Sequence, residues 1–140
     1  MEVKGKKVLV FGLGISGIGA CKLLEYSGAD VVLYDGNTSL NKKEIQNKIG
    51  QGTKAEVLLG ELPDEVLEEM ELCVISPGVP VDLPIVERIR NKNVPVWSEI
   101  ELAYTVGKGD VLAITGTNGK TTTTALLGEI MKAWKGGNVY

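Results

Sequence analysis

Lys120 and Thr121 stand near the end of the run Thr115-Gly116-Thr117-Asn118-Gly119-Lys120-Thr121-Thr122, whose residue types point to phosphate chemistry. Gly116, Asn118 and Gly119 shape a loop whose backbone N–H groups can surround phosphate oxygens, because these residue types tolerate the turns that aim successive amides inward. The Lys120 ammonium then reaches the β- and γ-phosphates of a nucleoside triphosphate, and the Thr121 hydroxyl is placed to ligate Mg²⁺. The general pattern G-x-x-x-x-G-K-[ST] wants its first glycine at position 114, which is Ile114 here, so the loop departs from the commoner spacing. The plain alternative is a polar turn that happens to contain Gly-Lys-Thr.

A second glycine run, Gly12-x-Gly14-x-x-Gly17, follows the apolar stretch Lys7–Phe11 and opens an amphipathic segment. Glycines at these positions allow a tight turn and bring a phosphate or sugar close to the backbone at a helix N-terminus, the positive end of the helix dipole. Asp35 ends the next apolar stretch, 18 residues after Gly17, and its carboxylate can accept hydrogen bonds from a ribose or a base. This is the spacing of a dinucleotide fingerprint, a weak signal when it stands alone. A helix–strand turn without a ligand is the competing reading.

The elements that must position these loops alternate in kind. "KVLVFG", "DVVLYD", "AEVLLG", "ELCVISPG" and "VPVW" read as strands, and "SGIGACKLLEYSG", "NKKEIQNKIG", "PDEVLEEM" and "LPIVERIRNK" as helices between them. The first of these helices ends at Gly28, and the last two carry a proline near their start. Nearly continuous apolar strands alternating with helices predict an α/β fold, a Rossmann-like parallel sheet with helices on both faces. Residues 1–97 make one complete domain in this reading. Ser98 and Glu101 have capping-box spacing and start a helix whose apolar face is Ile100, Ala103 and Tyr104, ending at Gly107 and Gly109. "VLAIT" is a further strand, and Leu127, Ile130, Met131 and Trp134 form the apolar stripe of the helix after the phosphate loop. Residues 98–140 thus give a linker helix and the first strand, phosphate loop and helix of a second domain, too little to bury a core alone.

Composition removes several classes of function. Of 140 residues, 44% are hydrophobic and 24% charged, a globular balance, and with a net charge of −3 and no strongly basic segment the composition argues against nucleic acid as the main partner. Aromatic residues are 5%, too few for a base-stacking platform. With no histidine, the chain holds no histidine-based triad or metal site. Cys21 and Cys73 match no metal spacing and read as two buried thiols. No apolar run is long enough for a membrane span, and the glycine-broken N-terminus is not a targeting segment.

"TGTNGKTT" closely resembles the phosphate loop of the Mur ligase family, which has the form G-[TSK]-N-G-K-[ST]. "GLGISG", the acid in "LYDG", "SPGVP" and "SEIEL" match the order and spacing of the branch that joins D-glutamate to UDP-N-acetylmuramoyl-L-alanine. The resemblance spans essentially the whole chain. It implies the uridine-nucleotide domain of a three-domain cytoplasmic ligase, followed by the beginning of its ATPase domain. In that family ATP phosphorylates the alanine carboxylate, and the D-glutamate amine attacks the acyl phosphate, a step of peptidoglycan precursor synthesis. By position, Gly116, Thr117, Asn118, Gly119, Lys120, Thr121 and Thr122 would bind ATP, with Lys120 stabilising the transferring phosphoryl group and Thr121 holding Mg²⁺. Gly14, Ile15, Ser16, Gly17, Asp35, Gly36, Ser76 and Gly78 would surround the UDP moiety; some relatives carry a hydroxyl residue where this chain has Gly36. Gly136 to Asn138 come too soon after the helix to be a further family loop. On this reading the remaining Mg²⁺ ligands and the D-glutamate site lie beyond Tyr140, the 140 residues alone are inactive, and the tail packs on the first domain or pairs two copies into a homodimer. An NAD-binding domain, a sibling Mur ligase and a small regulatory nucleotide-binding module are the alternatives. The first leaves the phosphate loop unexplained.

Overall fold

The computed structural model describes residues 2–50 and 52–135. The chain divides into two compact units, Met1–Gly107 and Lys108–Tyr140.

In the first unit, strands and helices alternate as β1 (Lys7–Phe11), α1 (Ile15–Tyr26), β2 (Asp30–Asp35), α2 (Lys42–Ile49), β3 (Glu56–Leu59), α3 (Asp64–Glu68), β4 (Leu72–Ile75), α4 (Pro84–Asn91), β5 (Val96–Ser98) and α5 (Glu99–Val106). The five strands form one sheet in the order β3-β2-β1-β4-β5, and every neighbouring pair is parallel. Val10 of β1 stands opposite Leu33 on one side and Val74 on the other.

The strands are apolar on both faces because both faces are covered. Side chains alternate across a strand. Val8 and Val10 of β1, Val31 and Leu33 of β2, and Leu72 and Val74 of β4 therefore share one core with Cys21 and Leu24 of α1, Ile45 and Ile49 of α2, and Leu102 of α5. Leu9, Phe11, Tyr34, Cys73 and Ile75 face the other way and meet Leu67 of α3 and Val86 and Ile89 of α4. The two prolines act as expected: Pro63 precedes α3, and Pro84 occupies the first turn of α4, where no backbone N–H is needed.

The first unit runs ten residues past the boundary placed after Trp97 (107 − 97 = 10) because α5 docks on it. The Ser98–Glu101 capping box is formed in full: Glu101 N donates to Ser98 Oγ (3.2 Å), and Ser98 N donates to Glu101 Oε2 (2.7 Å). That fixes where the helix starts. Leu102 is buried and Val106 packs beside it, while Ile100 and Tyr104 are 80% and 71% exposed. The stripe Ile100, Ala103 and Tyr104 is thus the outward face of α5 and not its core face.

The second unit contains α6 (Lys120–Lys135). Val111–Thr115, expected as a strand, has no strand pairing. A strand exists only by pairing with a neighbour, and the described residues of this unit supply no second one. On α6, Leu127 and Met131 are partly buried, whereas Ile130 and Trp134 are exposed. Gly136 to Asn138 lie outside the described residues.

Cys21 and Cys73 are free, buried and on opposite faces of the sheet, so they do not meet. Burial pushes both thiols up from 9.0 to about 12. A thiol-labelling reagent at about pH 8 will therefore leave both unmodified in native protein and modify both in denaturant. The raised folded-state values also set a direction with pH. This part of the stability is fully present below pH 9.0, where the unfolded chain keeps its thiols neutral, and declines as pH rises towards about 12. Rapid labelling of native protein would contradict the assignment.

Candidate nucleotide site

All five strands run the same way, so the segments that follow them emerge at one edge of the sheet. These are the glycine run after β1, Asp35–Asn37 after β2, Gly60 after β3, Ser76–Gly78 after β4 and Ser98–Glu99 after β5. The chain builds outward from β1 in one direction through β2 and β3, then in the other through β4 and β5. The strand order therefore reverses between β1 and β4, and ligands of open α/β sheets bind at such a point, outside the carboxyl ends of the strands. Here the crevice lies between the glycine run and Ser76–Gly78.

The three glycines of the first run are glycines for different reasons. Gly12 has φ +102°, and a Cβ there would meet Ser76 Cβ and Val79 Cγ2 at 2.9 Å. A Cβ on Gly17 would fall 1.9 Å from the Gly12 carbonyl oxygen, so the first turn of α1 sits directly on the backbone of the preceding turn. Gly14 is different: its φ is −70°, and nothing lies within 4 Å of an added Cβ. Packing does not require a glycine there; open space at the head of α1 does. That helix start has no side-chain cap and no acidic residue in its first turn. Its free N–H groups and the positive end of its dipole are left for an external anion. Ile15 is 94% exposed beside it, and Ser16 is exposed too.

Asp35 braces this loop. One carboxylate oxygen accepts from Leu13 N (3.2 Å), and the other accepts from Asn37 N (3.0 Å). Each oxygen retains a lone pair for a second donor. Gly36 has room for a side chain, since an added Cβ would come no closer than 3.8 Å, to the Tyr34 hydroxyl. Across the crevice Gly78 is exposed. Ser76 is buried at 7% exposure, with its N–H on Phe11 O (2.9 Å) and its hydroxyl near Gly12 O (3.3 Å) and Glu99 Oε1 (2.9 Å). The Ser76 hydroxyl is thus engaged within the protein and shapes the crevice from behind. Glu99 was not singled out from the sequence as a site residue. The signal for it was the place of "SEIEL" directly after the last strand of a parallel sheet.

In the second unit, Gly116 and Gly119 take φ +151° and +78°, angles that favour glycine. Lys120 opens α6 and folds back over the loop, its Nζ donating to Gly116 O at 2.6 Å. Thr123 N bonds Gly119 O (2.9 Å), which sets the first turn of the helix. Thr117, Asn118, Thr121 and Thr122 are exposed around it. An ammonium held over a glycine bend at a helix N-terminus suits polyphosphate oxygens, and the residues present fit a nucleoside triphosphate. Among the described residues, no group of three or more His, Cys, Asp or Glu side chains could hold a metal ion; the Thr121 hydroxyl would supply one ligand to a metal bound with the phosphates. No helix among the described residues is long and apolar enough to cross a membrane.

The chain is 54% identical over 134 residues to the UDP-N-acetylmuramoylalanine–D-glutamate ligase of Lachnospira eligens, covering 96% of this chain and 30% of the relative. It is 49% identical to the ligase of the same name from Lachnoclostridium phytofermentans, with the same coverage. The chain thus spans about three-tenths of the length of the curated relatives it matches. Among solved structures, a pseudomurein peptide ligase type C from Methanothermus fervidus superposes with a TM-score of 0.59 at 23% identity, over 94% of this chain and 27% of that one. Shikimate dehydrogenase from Aquifex aeolicus superposes with a TM-score of 0.50 at 19% identity, over 99% of this chain and 52% of that one. These two likenesses speak for the fold alone. The family model of the Mur ligase MurD-like N-terminal domain matches residues 6–98, the span of the sheet and its crevice, and the chain belongs to that family.

Proposed function

We propose that the first unit binds the UDP moiety of UDP-N-acetylmuramoyl-L-alanine, and that the second begins the ATP site of a cytoplasmic ligase that adds D-glutamate to it during peptidoglycan precursor synthesis. The observation that carries the reading is the uncapped head of α1 behind the open Gly14, with the Asp35 carboxylate beside it. A diphosphate would take the free N–H groups of Ile15, Ser16 and Gly17. Asp35 would accept from a ribose hydroxyl or a uracil N–H while still holding Leu13 N, the exposed Ile15 would cover an apolar face of the ligand, and Gly36 and Gly78 would leave it space.

Gly116 to Thr122 would hold ATP, with Lys120 leaving Gly116 O for a phosphate oxygen and Thr121 ligating Mg²⁺. When bound, ATP supplies the phosphoryl group that activates a carboxylate for attack by the D-glutamate amine. The role of Lys120 is electrostatic, placing one fixed positive charge where negative charge develops. Since the 140 residues span about three-tenths of the length of the relatives, they are expected to bind nucleotide without forming the amide. The stripe around Leu127, Ile130 and Met131 of α6 is the surface through which two copies would pair; a mass that stays at one chain by light scattering across concentrations removes the dimer.

Calorimetric titration with UDP tests the first site. Asp35→Ala should weaken binding about tenfold or more, because a hydrogen bond to a charged group contributes about 1.5–3 kcal/mol. Unchanged affinity takes Asp35 out of the site. NAD is the comparison ligand, and tighter binding of NAD than of UDP would favour a dinucleotide domain. The glycines should separate binding from folding. Gly14→Ala keeps the urea midpoint nearly unchanged and weakens UDP binding, because its methyl fills ligand space. Gly17→Ala lowers the unfolding free energy by about 1–3 kcal/mol or more, and the midpoint with it, because its methyl strikes backbone. Equal loss of stability in both variants would contradict this division.

A further inference from the structure

We propose that Glu99 is a positioning residue of the nucleotide site and that it acts through Ser76. The inference rests on the crevice being a uridine-nucleotide site, and one of its readouts needs no ligand. The Ser76 hydroxyl is buried and has one proton, with two acceptors in reach: Gly12 O at 3.3 Å and Glu99 Oε1 at 2.9 Å. A nearer, charged acceptor makes the stronger bond, so the proton belongs to Glu99. That bond sets the Ser76 rotamer, and the rotamer matters because Ser76 is what Gly12 rests on. A Cβ on Gly12 would lie 2.9 Å from Ser76 Cβ, and one on Gly17 would lie 3.0 Å from Ser76 Oγ and 1.9 Å from Gly12 O. The Ser76 side chain is therefore wedged beneath both ends of the glycine run, and the Glu99 carboxylate holds the wedge in one orientation.

The sequence arranges Glu99 for this. The Ser98–Glu101 capping box fixes the first residue of α5, and β5 beside β4 brings that residue to the end of β4. Ile75 pairs with Ser98, so Ser76 and Glu99 are the next residues along the same register. Three strand ends are thereby tied through one hydroxyl: β1 through Gly12, β4 through Ser76 and β5 through Glu99.

The test combines amide hydrogen exchange without ligand and UDP titration on the whole 140-residue chain, for Glu99→Ala, Glu99→Gln, Ser76→Ala and the double alanine variant. Gly12 N is bonded to Tyr34 O and Leu13 N to Asp35, so both amides report on the loop. Glu99→Ala should speed exchange at Gly12 and Leu13 and weaken UDP binding about tenfold. Amides at the centre of α5 should keep their rates, since the capping box is intact. Glu99→Gln, whose amide oxygen still accepts the Ser76 proton, should recover most of the loss. Ser76→Ala should match Glu99→Ala, and the double variant should be no worse than either, because groups acting in series are not additive. Loop exchange and UDP affinity within about twofold of the parent in Glu99→Ala would overturn the proposal. So would additive effects, or α5 loosening together with the loop. If the loop responds as described but the parent chain does not bind UDP, the positioning role stands and the uridine-nucleotide reading falls.

Discussion

Helix α1 meets the turn after β1 with no side chain between them, and the candidate site depends on that contact. The space at Gly17 is already taken by the Gly12 carbonyl, so the helix can only approach if residue 17 has no Cβ. The approach aims the uncapped start of α1 at the point where the strand order reverses. It also brings Leu13 N within reach of Asp35 and lets Gly12 lie against Ser76. Overpacking a joint of this kind costs about 1–3 kcal/mol, large against the 5–15 kcal/mol that separates a folded domain from its unfolded chain.

The sheet was legible in the sequence because its signals are local. "DVVLYD" is apolar at its four central positions and is a strand over those same residues, while Pro63 and Pro84 mark two helix starts. The Ser98–Glu101 spacing gave the start of α5, but not its face. Ile100, Ala103 and Tyr104 offer an apolar stripe as Leu102 and Val106 do, and what turns Leu102 inward is the packing of α5 against α1, β4 and β5. Val111–Thr115 shows the limit from the other side: a β-branched apolar run states a preference, and a strand needs a partner.

The site was legible in part for a related reason. Glycine spacing betrays a tight turn, so Gly12–Gly17 and Asp35 were read as candidates from spacing, Ser76–Gly78 came from the family resemblance, and the parallel sheet brings all these strand ends to one edge. What spacing could not give was how a hydroxyl divides its proton between acceptors. Glu99 lies 23 residues from Ser76 and shares no short motif with it. The two loops also differ in kind. The run after β1 is packed, with Gly12 and Gly17 against neighbouring backbone and side chains. Gly116 and Gly119 are set by backbone angle, with only distant neighbours.

The two outermost strands of the sheet are short, four residues in β3 and three in β5. An edge strand exposes unpaired N–H and C=O groups that can template a neighbour, and the hazard grows with the length of the straight edge. Here each rim offers only a rung or two, and Glu56 at the start of β3 adds charge to one of them. A nascent chain that has completed this sheet therefore presents little β-edge for other newly made chains to add to, and its apolar strands β1, β2 and β4 are shielded from stacking during crowded synthesis.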